Sequence, residues 1–221
     1  MRQSAPTPSL FSGFTADQTK SIIESAELRK FPAGTIIVNG GSPAINLFLI
    51  TQGTAKYFRV TKRGDEVLLW WLSRDDTFGI GALLAERARY IGTAQSVDDC
   101  EMLVWSQDEI RRLAAKYQLL AENALNIVLQ YLAAYADRIV GLSTETAEER
   151  IARTLLQLSH RVGRVRPTGV EVAIRNEDLS RLADVSPFTA SRQLKKWARE
   201  GVIQKSRRNI QILSPESLLL D

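Results

Sequence analysis

The chain has 221 residues, of which 44% are apolar and 24% charged, so it is long enough for one large or two modest globular domains. Its one cysteine, Cys100, cannot form an internal disulfide, a cysteine-based zinc site or an iron–sulfur cluster within the chain. No apolar run approaches the roughly 20 residues of a membrane span, and the Ser- and Pro-rich start has no apolar core of signal-peptide type. We therefore expect a cytoplasmic protein without membrane contact.

The net charge of +4 conceals an uneven distribution along the chain. Residues 1–149 carry 15 basic and 18 acidic side chains, whereas residues 150–210 carry 14 basic and 5 acidic ones, a net charge of +9. A strongly basic third beside a mildly acidic remainder is typical of a nucleic-acid-binding module joined to a domain with another task. A solvated basic face without such a role is the alternative.

The first 106 residues predict a short helix followed by an antiparallel β-roll. Residues 14–29 have a helical pattern, with Thr15 as N-cap and Ile22 and Leu28 among its apolar positions. From Phe31 to Trp105, short runs rich in β-branched and aromatic residues alternate with glycines, a texture typical of a β-barrel or sandwich. The predicted strands include 35–38, 47–50, 55–60 and 67–72, with residues 62–65 at a hairpin tip.

Residues 107–142 predict a single long helix that begins after the N-cap Ser106. One apolar seam steps alternately by three and four residues and consists of Leu125, Val128, Leu132, Tyr135, Ile139 and Leu142. A second row, on the neighbouring face, consists of Leu120, Ala124, Ile127, Tyr131 and Ala134. Two apolar faces need two partners, so we expect the second row to pack on the β-roll and the seam to form a dimer interface. A helix buried twice within one chain is the alternative.

Residues 143–221 predict a third region, which contains a helix–turn–helix. The pattern predicts a helix over 147–162, a strand over 170–174, helices over 176–183 and 186–200, and a hairpin over 202–213. Asn176 and Ser186 stand at N-cap positions, and Pro187 stands at the first helical position. The whole chain is therefore expected to be α+β, with an N-terminal β-roll (1–106), a central helix (107–142) and a C-terminal winged helix–turn–helix domain (143–221).

The second helix of a helix–turn–helix presents its first residues to base edges in the major groove of DNA. Arg192, one turn into this helix, is long enough to bridge O6 and N7 of a guanine. We predict base readout by Pro187, Phe188, Ser191 and Arg192. We predict contacts to the DNA backbone by Asn176, Ser186, Thr189, Lys195, Lys196, Arg199, Arg207 and Arg208, the last two at the tip of the final hairpin. A small basic domain that binds protein is the alternative.

In order and spacing, these motifs resemble the CRP/FNR family of bacterial transcription regulators over nearly the whole chain. Leu47–Gly53, Gly64 and Asp76–Gly79 resemble the family's cyclic-nucleotide-binding-type sensor domain, and Arg150–Ala152 and Ser191–Arg192 resemble its winged-helix domain. The resemblance implies a homodimer that pairs through the long helix and binds palindromic double-stranded promoter DNA. It also implies contact with RNA polymerase near the basic turn 161–168.

The sensor domain departs from the nucleotide-responsive members of the family. Those members carry Phe-Gly-Glu, whose carboxylate grips the ribose, and an Arg-Ser pair that binds the cyclic phosphate, whereas this chain has Phe78–Ile80 and Tyr90–Ile91. A phosphate in a partly buried pocket needs a fixed positive partner, so we predict a pocket that is not built for cAMP or cGMP. Arg87 and Arg89 are the alternative phosphate ligands. The candidate effector pocket comprises Gly79, Ile80, Arg87, Arg89, Tyr90, Ile91, Tyr135 and Ala136.

We expect neither a cofactor nor a metal, since the family's other triggers also lack their residues. The iron–sulfur sensors need four cysteines, and a haem sensor needs axial ligands near the β-roll, whereas His160 falls in the C-terminal domain. Cys100 is expected to be a buried, small apolar residue, with oxidation or glutathionylation as the alternative. Of Trp70 and Trp71, on alternate faces of a strand, one is expected inside, in the core or beside an apolar ligand.

The recognition helix also departs from its relatives. Many of them have Glu three residues before the Ser-Arg pair, where it accepts a hydrogen bond from a base, and Phe188 stands at that position here. Phenylalanine cannot accept this hydrogen bond but can contact a thymine methyl group. We expect Arg192 still to specify a G in each half-site, and the position facing Phe188 to be relaxed or shifted towards T.

The leading hypothesis is a homodimeric, sequence-specific DNA-binding regulator that does not depend on cAMP and is active either without an effector or with an unidentified one. The alternative is a regulator gated by haem, a lipid or an aromatic compound, or by oxidation of Cys100. An enzyme is not expected, because the sequence has one histidine and no Ser-His-Asp set, no Cys-His set and no phosphate-binding glycine loop.

Overall fold

The computed structural model describes residues 9–84, 87–206 and 209–218. The chain forms two compact units, Met1–Ala134 and Tyr135–Asp221, called here the first and second units. The first unit holds the β-roll and the second unit holds the helix–turn–helix, so the predicted α+β architecture is confirmed. The division lies inside a helix, eight residues before the predicted boundary at 142/143.

Two antiparallel four-stranded sheets form the β-roll of the first unit. One sheet has the order β1 (Glu27–Phe31), β8 (Cys100–Ser106), β3 (Asn46–Gln52), β6 (Thr77–Phe78). The other has the order β2 (Ile36–Val38), β7 (Thr93–Ser96), β4 (Ala55–Val60), β5 (Glu66–Leu72). Strands β4 and β5 pair around the turn at residues 61–65, with a register shift between Tyr57 and Phe58, which confirms the predicted hairpin tip.

The first helix of the roll is shorter than predicted. Helix α1 spans Ala16–Glu24 and starts with the expected N-cap, Thr15, in a capping box with Gln18. The pattern over 14–29 therefore wrongly extends the helix, since Leu28 belongs to strand β1, paired with Leu103 of β8. The β8 partner lies far away in the sequence, so local periodicity cannot reveal this pairing.

The predicted single helix over 107–142 is two helices in the structure. Helix α3 (Gln107–Lys116) begins at the N-cap Ser106 and ends at Tyr117, whose φ of −125° and ψ of 86° are not helical. Helix α4 then runs over Gln118–Thr144, through Gly141. No glycine or proline at the break predicts it from the sequence. At the break, the Tyr117 ring packs edge-on against Phe14, with the ring centroids 6.0 Å apart.

Helix α4 has one covered and one open apolar face. Leu120, Ala124 and Ile127 are buried in a core cluster with Leu47 and Trp105 of the roll, and Tyr131 packs against it, which confirms the prediction for the second row. On the seam, Tyr135 is half-buried and the other members are exposed, namely Leu125, Val128, Leu132, Ile139 and Leu142. The seam thus remains an uncovered apolar stripe on the single chain.

The second unit is a helical domain with one antiparallel sheet. Its helices are α5 (Ala147–Val162), α6 (Asn176–Leu182) and α7 (Pro187–Arg199). Its sheet has the order β11 (Ile203–Lys205), β12 (Asn209–Ile212), β10 (Gly169–Ala173), β9 (Arg164–Arg166). Strand β9 occupies part of the basic turn expected at 161–168. Helices α6 and α7 are joined through residues 183–186, which confirms the helix–turn–helix.

Candidate nucleic-acid interface

Aromatic rings fill the interior of the β-roll close to the predicted effector position. Phe48 and Phe78 are stacked, with centroids 4.7 Å apart and planes 4° apart. Tyr57 lies 6.3 Å from Phe78, and Tyr90 lies 6.5 Å from Phe48. All four rings belong to or pack against one core cluster, so this part of the roll is packed as a protein core.

The hydroxyl groups of the two tyrosines hold the backbone of the roll. The Tyr90 hydroxyl donates to the carbonyl oxygen of Asn46 and accepts from its amide nitrogen, both at 3.1 Å. The Tyr57 hydroxyl accepts from the amide of Gly92 at 2.8 Å. Burial raises the pKa of both phenols. Both tyrosines therefore remain uncharged and stabilise the backbone of the roll through hydrogen bonds.

Only part of the predicted effector pocket comes together. Gly79 and Tyr90 are neighbours, because a Cβ on Gly79 would lie 3.2 Å from Cε1 of the Tyr90 ring. That Cβ would also lie 2.5 Å from the carbonyl oxygen of Asn46, and Gly79 has φ of +75°, so glycine is needed here. Ile80 instead lies in the other core cluster, which contains Leu47 and Leu120.

Three further members of the predicted pocket lie on the surface of the first unit. Arg87 is exposed, and Ile91 is 72% exposed. Arg89 is exposed as well, and its guanidinium donates to the carbonyl oxygen of Gly41. Tyr135 is half-buried and Ala136 exposed, and both belong to the second unit.

Tyr131 of α4 reaches the aromatic interior of the roll and was not among the residues predicted for the effector pocket. The Tyr131 hydroxyl donates to the carbonyl oxygen of Thr77 at 3.0 Å. Its ring meets Trp70 edge-on, with centroids 4.8 Å apart. Tyr131 belongs to the apolar row that packs on the roll, and this membership was the signal that could have identified it.

Cys100 is buried, as expected for a cysteine that acts as a small apolar residue. Its thiol lies 3.2 Å from the carbonyl oxygen of Thr54. Burial, together with the nearby Asp98 carboxylate, raises the pKa of the thiol to about 12. Because the thiolate is the reactive form, this environment suppresses the reactivity of the sulfur.

Helix α7 has a buried face and an exposed basic face. Ser186 is its N-cap, and the Ser186 hydroxyl accepts from the amide of Thr189 at 3.0 Å, as predicted. Ala190, Leu194 and Trp197 are buried against the rest of the second unit. The opposite side exposes residues spaced by four, three and four positions, namely Phe188, Arg192, Lys195 and Arg199.

The predicted base-contacting residues cluster at the start of α7. Phe188 is 75% exposed, although large aromatic side chains are rarely left in water without a partner. Pro187 and Arg192 are exposed, and Ser191 is half-buried. One long cation and one apolar ring thus project from adjacent turns of the same helix.

The predicted backbone-contacting residues are not equivalent. Lys195 and Arg199 are exposed cations, whereas the Lys196 ammonium pairs with Glu148 at 3.2 Å. Asn176 is not an N-cap, because the N-cap of α6 is Arg175, which makes no side-chain capping bond. Arg207 and Arg208 lie outside the described residues.

Lys205 was missed by sequence reasoning and lies close to Lys195. It is half-buried on β11, and burial together with the charge of Lys195 lowers the pKa of its ammonium. A like-charged pair of this kind is relieved by an anion. The only signal in the sequence was the position of Lys205 at the start of the final hairpin.

Other kinds of site find no support in the part of the chain that the structure describes. There, no group of three or more His, Cys, Asp or Glu residues could hold a metal ion. Among the same residues, no helix has the length and apolar character needed to cross a membrane.

Comparison with known proteins gives consistent matches along the chain. A family model described as "Cyclic nucleotide-binding domain" matches residues 28–117, and one described as "Crp-like helix-turn-helix domain" matches residues 149–220. The chain is 29% identical over 195 residues to the cyclic AMP receptor protein of Thermus thermophilus, with 88% of each chain covered.

Solved structures show the same fold. FixK2 from Bradyrhizobium japonicum matches with a TM-score of 0.77 and 18% identity, covering 87% of this chain and 95% of that chain. The c-di-GMP responsive global regulator CLP of Xanthomonas campestris matches with a TM-score of 0.75 and 20% identity, covering 90% of this chain and 99% of that chain. These relatives are regulators rather than enzymes. The chain belongs to the CRP/FNR family of bacterial transcription regulators, with a helix–turn–helix for DNA binding.

Proposed function

We propose that the protein is a homodimeric regulator that recognises a palindromic promoter site through α7 without a cyclic nucleotide. The observation that carries this proposal is the exposed face of α7. Phe188 and Arg192 are open to solvent at its start, while Ala190, Leu194 and Trp197 anchor the opposite face. A helix held in this way enters the major groove with its N-terminal residues at base edges.

The uncovered stripe of α4 supports the dimer. Leu132 is 62% exposed and Ile139 66% exposed, and both follow the heptad spacing of a helix that pairs with a copy of itself. Such pairing is isologous, so the two copies of α7 are related by a two-fold axis. The expected operator is therefore a palindrome whose half-sites lie about one helical turn apart.

The aromatic filling of the roll supports independence from cAMP and cGMP. Ile80 stands where the ribose-binding carboxylate of the family stands, and it is buried in an apolar cluster. The rings of Phe48, Phe78 and Tyr90 occupy the neighbouring interior. A cyclic phosphate would lose its water there without gaining a fixed cation. We expect calorimetric titration with cAMP or cGMP to give no binding heat, and micromolar binding of either would refute this part.

Activity without an effector is the form of regulation that this arrangement favours. A filled interior holds the roll in one packed state, as a ligand does in a gated protein. Oxidation at Cys100 is a poorer trigger, because its thiol is buried and its pKa is raised to about 12. A bound haem, lipid or aromatic compound would be the alternative effector. Absorbance of the purified protein and mass spectrometry after denaturation would detect such a compound.

The β9–β10 hairpin is our candidate for contact with RNA polymerase. Val165 is 85% exposed at this hairpin, between the exposed side chains of Arg164 and Arg166. The Arg166 guanidinium already pairs with the Glu171 carboxylate at 2.7 Å, so Val165 and the Arg164 cation are the groups that fit a partly acidic partner surface. Crosslinking from position 165 to purified polymerase on promoter DNA tests this contact, and no crosslink would refute it.

A regulator that binds promoters acts in the bacterial cytoplasm.

The test of the proposed function is selection of binding sites from random duplex DNA by the purified, ligand-free protein. The salt concentration is fixed near the physiological value, since phosphate contacts make affinity depend on salt. We expect enrichment of a palindrome with a G in each half-site. Failure of a folded, dimeric protein to enrich any sequence would refute activity without an effector.

A further inference from the structure

The turn between α6 and α7 is held by a side chain of the long helix. The Arg138 guanidinium, on α4, meets the Asp184 carboxylate in two parallel contacts, Nε to Oδ2 at 2.6 Å and Nη2 to Oδ1 at 2.8 Å. The same Nη2 also donates to the carbonyl oxygen of Arg181 at 3.2 Å. All three residues belong to the second unit. A two-point contact fixes direction as well as distance.

Asp184 itself has an unusual backbone. Its φ of +51° lies in the left-handed region, which aspartate, asparagine and glycine tolerate better than other residues. Position 184 therefore combines a tight turn with a carboxylate aimed at another helix. Both partners are largely shielded, with 19% of the Arg138 side chain and 27% of the Asp184 side chain exposed.

A second arginine holds the same turn from α5. The Arg150 Nε donates to the carbonyl oxygen of Ala183 at 3.1 Å, and its Nη1 donates to that of Glu145 at 2.7 Å. Carbonyl groups at the end of a helix lack partners within the helix and attract cations. Residues 183 and 184, which lie between α6 and the N-cap Ser186 of α7, are therefore tied to α5 and α4.

We propose that Arg138 and Asp184 are positioning residues for DNA readout. They act through α7 and not on DNA, because they fix the direction in which the helix leaves the turn relative to the C-terminal part of α4. That direction decides where Phe188 and Arg192 meet the bases. Their contribution is therefore to discrimination between sequences more than to general affinity for DNA. This inference rests on the proposed function.

The test uses the full-length chain with Arg138→Gln, Asp184→Asn and the double variant. Dissociation constants are measured for three duplexes: the selected operator, the same operator with the G of each half-site replaced, and a random sequence. We expect the ratio between the two operators to fall about tenfold in each variant, and no further in the double one, because the two-point contact between these side chains is lost in all three.

Affinity for random DNA separates a loss of discrimination from the effect of a changed net charge. Asp184→Asn makes the protein more positive and Arg138→Gln makes it less positive, so their affinities for random DNA should move in opposite directions. The double variant keeps the net charge, so its affinity for random DNA should be unchanged while its discrimination is lost. Urea unfolding of each variant reports whether the domain remains folded.

The matched control is the pair formed by Glu109 and Arg112 on α3. This pair also makes two contacts, at 2.7 and 3.0 Å, but it lies in the first unit. Its double variant, Glu109→Gln with Arg112→Gln, should discriminate as the wild type does. If a glutamine variant at 138 unfolds, Arg138→Lys keeps the charge, loses the two-point contact and should still lose discrimination.

Two results overturn the inference. One is a folded double variant that distinguishes the two operators as well as the wild type. The other is a loss of discrimination that only follows a loss of folded protein. A folded wild-type chain that selects no operator at all would instead refute the proposed activity without an effector, so the two failures are distinguishable.

Discussion

The two units use their polar and aromatic groups in opposite ways. In the first unit, the hydroxyls of Tyr57 and Tyr90 hydrogen-bond to the roll's own backbone, and the rings face inward. In the second unit, Phe188 and Arg192 of α7 face solvent, while the opposite face of the same helix is buried. Inward-facing groups of the first unit thus stabilise its own packing, whereas the exposed groups of α7 remain available to a binding partner.

The charges of the two regions follow the same division. The basic region 150–210 carries +9, while residues 1–149 carry −3. Phosphates attract the first and repel the second, so the charge distribution favours approach of DNA to the helix–turn–helix.

The largest expected effect comes from the seam of α4. Leu132→Asp places a charge in the proposed dimer contact, so the protein should become monomeric. Because two linked half-site contacts then become one, affinity for the palindrome should fall by about 100-fold or more. Sedimentation velocity and fluorescence anisotropy measure the two effects. Asn126→Asp, on an exposed position off the seam, is the control. A Leu132→Asp protein that still sediments as a dimer would assign pairing to another surface.

The next effect is on base readout. Arg192→Ala should cost about 1–3 kcal/mol of binding free energy at the selected operator and should level the preference for G. The measurement is a competition assay with the four bases at that position. A preference for G that survives the substitution would show that another residue reads this base.

Phe188 sharpens the comparison at a single base pair. Phe188→Glu restores a hydrogen-bond acceptor, so preference at the facing position should move towards C by about 1 kcal/mol or more. Repeating the site selection with this variant measures the change. Phe188→Ala, which removes the ring without adding an acceptor, should relax the position and not redirect it. An identical operator for all three proteins would exclude Phe188 from readout.

The two neighbouring lysines of α7 should differ in a smaller way. Lys195→Ala should weaken binding to all DNA sequences alike and reduce the magnitude of the slope of log affinity against log salt concentration by about 1. Lys196→Ala should change the slope less, because Glu148 already neutralises this ammonium at 3.2 Å. Titrations over a range of salt concentrations give both slopes, and equal slopes for the two variants would contradict the expectation.

The smallest effect on DNA binding should come from Cys100. Its pKa is raised from 9.0 to about 12, so the folded state favours the protonated thiol, and the corresponding stability is present below pH 9 and lost as the pH rises from 9 towards 12. At pH 9, iodoacetamide should react with the urea-unfolded chain on the order of a hundredfold faster than with the native chain. Cys100→Ser should leave operator affinity unchanged. Rapid alkylation of native protein would show that the thiol is accessible.

Local signals in the sequence were sufficient for the helix–turn–helix. Ser186 and Pro187 mark the start of α7, and the apolar spacing of Ala190, Leu194 and Trp197 gives its buried face. Both signals act within a few residues, so they can be interpreted without knowing the fold. The two faces of α4 were predicted for the same reason.

The remaining differences depend on contacts between distant residues. Strand β1 pairs with β8, as in the pair Leu28 and Leu103. The apolar row places Tyr131 on the roll, but its contacts with Trp70 and Thr77 were found only in the structure. Asp184 and Arg138 are 46 residues apart, so no spacing rule connects them. Arg175 rather than Asn176 occupies the N-cap position of α6. Residue propensity alone cannot place a helix start to within one residue.

In the dimer proposed above, the exposed stripe of α4 would tie the stability of the protein to its abundance. When two copies associate, mass action adds the free energy of pairing to the free energy of folding. The melting temperature should therefore rise with protein concentration, and the folded fraction should be lowest in cells that contain few copies. A regulator of this kind responds to its own amount before any effector is considered.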